Sequence, residues 1–302
     1  MKRMATMVVT MALAAPLWAA QTMGTSQVAG RVGATPQGPA YVAPKNDAVP
    51  PADPYVDDVL KTSPRHGEWV DIKTATGGTV KAWLEYPSAS TKTGVVIVIH
   101  EIFGLTDWVR GVADQVAKDG FIAIAPDLIS GMGPNGGGSA ELGQQGSTQV
   151  IRTLTAEERT ARLDAVMAYS KTIPSSNGKT GVVGFCWGGG SSLSYAISQP
   201  GLNAAVMYYG PAPTLPNSQT IDLSGLPTVK APILAHYPGN DQRTLVSAQP
   251  ISDEMKKLGK SFEFHVYDGA AHGFMHQHSE ADTKAAVESW PRTVAFFDKN
   301  LK

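Results

Sequence analysis

Residues 67–302 predict an α/β fold with a mostly parallel central sheet covered by helices on both faces. Three observations carry that expectation. Short apolar runs of strand length recur along the chain, several with no polar residue, as expected of strands buried on both sides. Segments with helical spacing alternate with them. The reactive side chains gather where those runs end, the place where ligands bind in such sheets.

The elements follow in order. EWVDIKT and TVKAWLEYP flank ATGG and read as a hairpin. TGVVIVIH, residues 93–100, is a continuous apolar run. The next segment puts Val109, Val112, Ala113 and Val116 on one helical face and stops at Gly120. FIAIAPD is the following strand. Residues 129–150 are glycine-rich and aperiodic, and are expected to form an exposed loop. Thr155 and Glu158 have capping-box spacing and open a helix carrying Leu163, Val166 and Met167. Strands are expected at 180–185, 204–210, 231–239 and 261–268, with helices after Cys186, around Ile251, Met255 and Leu258, and from Ser279 onward. Pro291 should kink or split the last of these.

The N-terminal part differs. MKRMATMVVTMALAAPLWAAQ has a basic start, an apolar stretch and small residues at Ala19 and Ala20, the layout of a secretory signal peptide. The stretch is short for a membrane span and Pro16 interrupts it, so no integral anchor is expected once residues 1–20 are removed. A secreted or periplasmic location follows. Residues 21–66, rich in Pro, Gly and Ala, read as an extended leader whose tail packs on the domain. The domain proper is expected over 67–302. With 42% hydrophobic and 17% charged residues the chain has ample core material, and its formal net charge of −1 favours neither nucleic acid nor an anionic membrane.

The chain has one cysteine, Cys186, so no internal disulfide exists. A lone cysteine is either a buried, inert thiol or one kept for chemistry. Four expected strand ends carry reactive groups: HEIFG at 100–104, Cys186, Asp241 and His272. Taken singly these have plain readings, as a buried thiol, a helix cap and a structural imidazole. Together they stand in the order nucleophile, acid, histidine, and Gly184-Phe185-Cys186-Trp187-Gly188 fits G-x-Nuc-x-G. That pattern is the nucleophile elbow of the α/β-hydrolase fold. The glycines fit a turn in which backbone meets backbone, and the helix beginning at the sulfur should lower the thiol pKa. In such an elbow the backbone N–H of Trp187, with one from the loop after an early strand, forms an oxyanion hole. No metal-ligand spacing appears, and neither metal nor cofactor is expected.

The region from about Ser63 to Lys302 resembles the dienelactone hydrolase family in HEIFG (100–104), GFIAIAPDL (120–128), GFCWGG (184–189), YYG (208–210), GNDQR (239–243) and AHGF (271–274). The resemblance implies that Cys186 is the nucleophile, His272 the general base and acid, and Asp241 the group that orients His272. It further implies that Glu101 holds the resting thiol, and that Ile102 and Trp187 donate the oxyanion-hole N–H groups. The implied activity is hydrolysis of a small-molecule ester or lactone through an acyl-cysteine. A broader carboxylesterase, a non-catalytic ligand-binding relative, and a redox protein using an external thiol are the alternatives. The family's pocket arginine four residues past the histidine is replaced here by His276, expected to contact substrate and to titrate near ~6.5.

Overall fold

The computed structural model describes residues 41–88 and 91–302; the expected signal peptide and the first part of the leader lie outside these residues. The strands are β1 (Gly67–Lys73), β2 (Thr79–Glu85), β3 (Thr93–Ile99), β4 (Ile122–Pro126), β5 (Ser176–Phe185), β6 (Ala204–Tyr208), β7 (Ile233–Pro238) and β8 (Phe262–Tyr267). They form one sheet in the order β1-β2-β4-β3-β5-β6-β7-β8. The hairpin is antiparallel, with Trp69 opposite Trp83, and β2 also runs antiparallel to β4; all other pairings are parallel. The helices are α1 (Val56–Thr62), α2 (Asp107–Lys118), α3 (Ser139–Val150), α4 (Ala156–Ser170), α5 (Trp187–Ser198), α6 (Gln242–Leu245), α7 (Ala248–Lys257) and α8 (Glu280–Leu301).

Strand periodicity sorts the core into two layers. Val95, Ile97 and Ile99 of β3 face Leu163 and Val166 of α4, Leu193 of α5 and Met255 of α7. Val96 and Val98, on the other face, join Val109, Val112 and Val116 of α2 and Trp290, Phe297 and Leu301 of α8. The capping box at Thr155 and Glu158 forms with both hydrogen bonds in place.

Three segments differ from expectation. The leader packs on the domain from Tyr41 onward and not at its tail alone: Tyr41–Lys302 is one compact body, with Ala43, Val49, Ala52 and Val56 buried. The prolines that suggested an open chain instead hold a rigid path across α2, where the Trp108 indole donates to the Pro51 carbonyl at 3.1 Å. Within residues 129–150 lies α3, broken at Gly143. It is a helix without an apolar stripe, and Asp127 fixes its start by accepting from the Ser139 N–H at 2.7 Å and hydroxyl at 2.6 Å. Finally, α8 runs through Pro291 without splitting. The lost hydrogen bond costs about 3 kcal/mol, and burial of Trp290, Phe297 and Leu301 along the same face offsets it.

Leu301 is fully buried and fills the space left by Gly94 on β3 and Gly181 on β5. Leu301→Ala is expected to cost about 2–5 kcal/mol. A thermal melt followed by circular dichroism should show the midpoint falling by roughly 5–15 °C.

Candidate active site

The carboxyl ends of β3, β5, β7 and β8 converge on one edge of the sheet. At the end of β5 the chain turns directly into α5, and Cys186 takes φ 54°, ψ −117° at the junction. This is a conformation side chains seldom adopt. Two glycines make it attainable. A Cβ on Gly184 would overlap the Gly188 carbonyl oxygen, and one on Gly188 would overlap the carbonyls of Ile99 and His100. The backbone N–H groups of Trp187 and Ile102 face the sulfur.

The loop after β3 is held by His100. The Leu128 N–H donates to its Nε2 at 3.1 Å, which leaves the proton on Nδ1 to donate to the Glu101 carbonyl at 2.7 Å. Burial pushes the His100 pKa down, so the ring is a neutral strut, stacked on Trp187 at 5.6 Å. Gly104, at φ 78°, lets the loop turn against Ser139, whose hydroxyl accepts from the Leu105 N–H at 2.8 Å.

Asp241 and His272 meet from the ends of β7 and β8, with Asp241 Oδ2 and His272 Nδ1 2.6 Å apart. Burial alone would raise the Asp241 pKa, but hydrogen bonds from His272 and the Thr244 hydroxyl outweigh it and hold the carboxylate ionised. The opposite ring nitrogen, His272 Nε2, is buried and has no hydrogen-bond partner among the described residues. Arg243 lies over the outer side of the pair, 3.8 Å from Asp241 Oδ2. Tyr209, at φ 40°, sets its ring edge-on to His272 at 5.1 Å.

Two expectations change here. The Cys186 thiol is not lowered but pushed up to about 11, because burial and the nearby Glu101 charge outweigh the Trp187 and Ile102 N–H groups and the Arg243 charge. And His276 does not stand free to meet a substrate anion. Its Nε2 is 3.0 Å from Glu101 Oε2 and its Nδ1 is 2.6 Å from Asp53 Oδ1, so both ring nitrogens are engaged. Burial pulls its pKa down, but these two carboxylates raise it to about 9, well clear of the range expected from the sequence. Glu101 accordingly bonds the imidazole of His276, where the family resemblance implied the thiol. Asp53 had no signal in the sequence, standing 223 residues from His276 among prolines. Asp53 also accepts from His278 at 2.7 Å. These three are the one group among the described residues with metal-ligand proximity, and their polar atoms already satisfy one another.

A sheet of this order, with Cys186 held on a strained strand-to-helix turn, is the architecture of the α/β-hydrolases. Within that class the chain belongs to the dienelactone hydrolase family, whose model matches residues 80–301. It is 27% identical to the carboxymethylenebutenolidase of Pseudomonas putida over 226 residues, covering 73% of this chain and 91% of the relative. The fold is shared with the dienelactone hydrolase of Anabaena variabilis, at TM-score 0.57 and 21% identity, over 79% of this chain and 99% of that one. A dienelactone hydrolase-like promiscuous phosphotriesterase from metagenomic libraries aligns at TM-score 0.63 and 20% identity, over 79% and 99%. Membership makes the protein a hydrolase acting on a small molecule. No helix among the described residues is long and apolar enough to cross a membrane.

Two outcomes follow from this geometry. Gly188→Ala forces a methyl group into two backbone carbonyls and should abolish soluble folded protein or lower the melting midpoint by more than about 10 °C, a large backbone effect of the kind seen at special positions. Gly136→Ala, at positive φ but in open space, should cost only about 1–2 kcal/mol. The second concerns pH. His276 is raised in the folded state, so its contribution to stability is complete below the unfolded value near ~6.5 and is lost as pH rises through about 9. Urea unfolding across that window should show a decline that His276→Gln flattens.

Proposed function

We propose that this protein hydrolyses esters or lactones with Cys186 as nucleophile, through an acyl-cysteine intermediate. The observation that carries the reading is Cys186 itself, held at φ 54° with the N–H groups of Trp187 and Ile102 at its sulfur. A structural cysteine has no need of that strain, and the two donors suit a developing oxyanion. Each such donor contributes about 3 kcal/mol to the transition state.

At rest the sulfur carries its proton, since its pKa is pushed up to about 11. Attack on the substrate carbonyl therefore releases that proton as the S–C bond forms. His272 Nε2, buried and without a partner, is the acceptor, and Asp241 at Nδ1 stabilises the imidazolium. The tetrahedral oxyanion rests on Ile102 and Trp187. Its collapse breaks the C–O bond, and His272 returns the proton to the departing oxygen. Water then gives a proton to His272 and attacks the thioester. The carboxylic acid leaves and the thiol is restored.

A thiolate is a better leaving group than an alkoxide, so attack on an alkyl ester mostly reverts. Phenyl esters and enol lactones escape this because their leaving oxygens are already stabilised. Cys186→Ala should remove hydrolysis of an aryl acetate, lowering kcat/KM by about 10⁴-fold or more while circular dichroism stays native. The wild type should prefer phenyl acetate to ethyl acetate by at least about 10²-fold in kcat/KM, or some 3 kcal/mol of barrier. Turnover retained by the alanine variant, or equal rates on the two esters, would remove cysteine from the reaction.

A further inference from the structure

We propose that the segment ahead of the family-matched region belongs to the active site, with Asp53 as a positioning residue that holds the His276 ring, and through it the Glu101 carboxylate, beside Cys186. The inference rests on the reading of Cys186 as the reactive group. The chain of contacts is continuous: Asp53 Oδ1 to His276 Nδ1 at 2.6 Å, then His276 Nε2 to Glu101 Oε2 at 3.0 Å. Glu101 in turn acts on Cys186 as a charge. It parallels the Asp241–His272 pair on the other side of the cysteine, but its first member comes from residues 41–62, outside the match that begins at residue 80.

The segment is built to deliver that carboxylate. Pro51 and Pro54 stiffen the backbone around Asp53, and Val49, Ala52 and Val56 are buried beneath it. Its two carbonyl anchors are the immediate neighbours of His276. Trp108 donates to Pro51 at 3.1 Å and stacks on the His276 ring at 4.1 Å. Gln277 donates to Pro50 at 3.1 Å from a left-handed backbone at φ 62°. A buried, non-glycine residue in that conformation marks a place where the surroundings dictate the backbone. The result is that segment and imidazole are located by the same two side chains.

The electrostatic consequence has a definite sign. The titratable groups facing His276 are Asp53 from the N-terminal segment, Glu101 from the loop after β3, and His278 from its own loop. With Asp53 ionised, His276 stays an imidazolium up to about pH 9 and over that range offsets the Glu101 charge. Without it, His276 loses its proton more readily, and Glu101 acts with less offset on a thiol that burial and Glu101 already raise and that the Arg243 charge and two backbone N–H groups lower.

Alkylation of Cys186 by iodoacetamide tests this on the full chain. It needs no turnover, and the chain has no second cysteine to confuse the reading. Asp53→Asn is expected to displace the pH profile of the alkylation rate to higher pH over the range below about 9, where the wild-type His276 is charged, and to slow the reaction several-fold at pH 7.5, with Asp53→Glu restoring much of it. His276→Gln, which cuts the same chain one link on, is expected to move the profile the same way. Asp57→Asn, which removes an exposed carboxylate paired with Lys61 in the same segment, should leave the profile in place. A profile for Asp53→Asn that superimposes on the wild type or moves to lower pH below about 9 overturns the proposal, as does a displacement that His276→Gln fails to reproduce. An alkylation shift in a protein that hydrolyses no ester would leave the positioning intact and remove the hydrolase reading. Cysteine-dependent hydrolysis without the shift would do the reverse.

Discussion

The site depends on how closely the first turn of α5 can approach the sheet. Gly184 meets the Gly188 carbonyl, Gly188 meets the carbonyls of Ile99 and His100, and Gly189 meets that of Tyr208. These are backbone-to-backbone contacts among three neighbouring strands and one helix, at distances that no side chain permits. They bring the N–H of Trp187 and the loop after β3 to the same sulfur. They also force Cys186 into its strained conformation. Loosening any of them would move the sulfur and its two donors apart together, since all are carried on the same short stretches of chain.

Charge around that sulfur is arranged by burial as much as by sequence. A helix N-terminus favours a thiolate, yet here desolvation and one carboxylate win, and the group rests protonated. The site is thus asymmetric. On one side an ionised Asp241 holds an imidazole whose free nitrogen is empty-handed. On the other, a doubly engaged imidazole binds a carboxylate that would otherwise press harder on the sulfur. One imidazole keeps a ring nitrogen without a partner among the described residues, and the other has both engaged.

The sheet was legible because its strands are buried on both faces. Val95 to Ile99 and Ile122 to Ala125 are almost fully enclosed, and an uninterrupted apolar run is what that environment selects. The elbow was legible because glycine is irreplaceable at its contacts. What could not be read were elements stabilised by single polar contacts at a distance. The start of α3 depends on Asp127, twelve residues away, and α3 itself has no apolar stripe to announce it. The packing of residues 41–66 depends on Trp108 and Gln277, and prolines that hold a fixed path read the same in sequence as prolines in an open linker. The environment of His276 was misread for the same reason: its proton affinity is set by Asp53, and no local pattern links the two.

The joint between the N-terminal segment and the loop after β3 bears on what counts as the smallest working unit of this protein. The family match begins at residue 80, in β2, and β1 completes its hairpin from Gly67. A boundary drawn at Gly67 would keep every strand and leave the sheet whole. It would also uncover Trp108 and release one end of the His276 ring. Modularity judged from strands and modularity judged from proton affinity therefore give different answers for this chain. The second includes a stretch of backbone that contributes no secondary structure to the sheet at all.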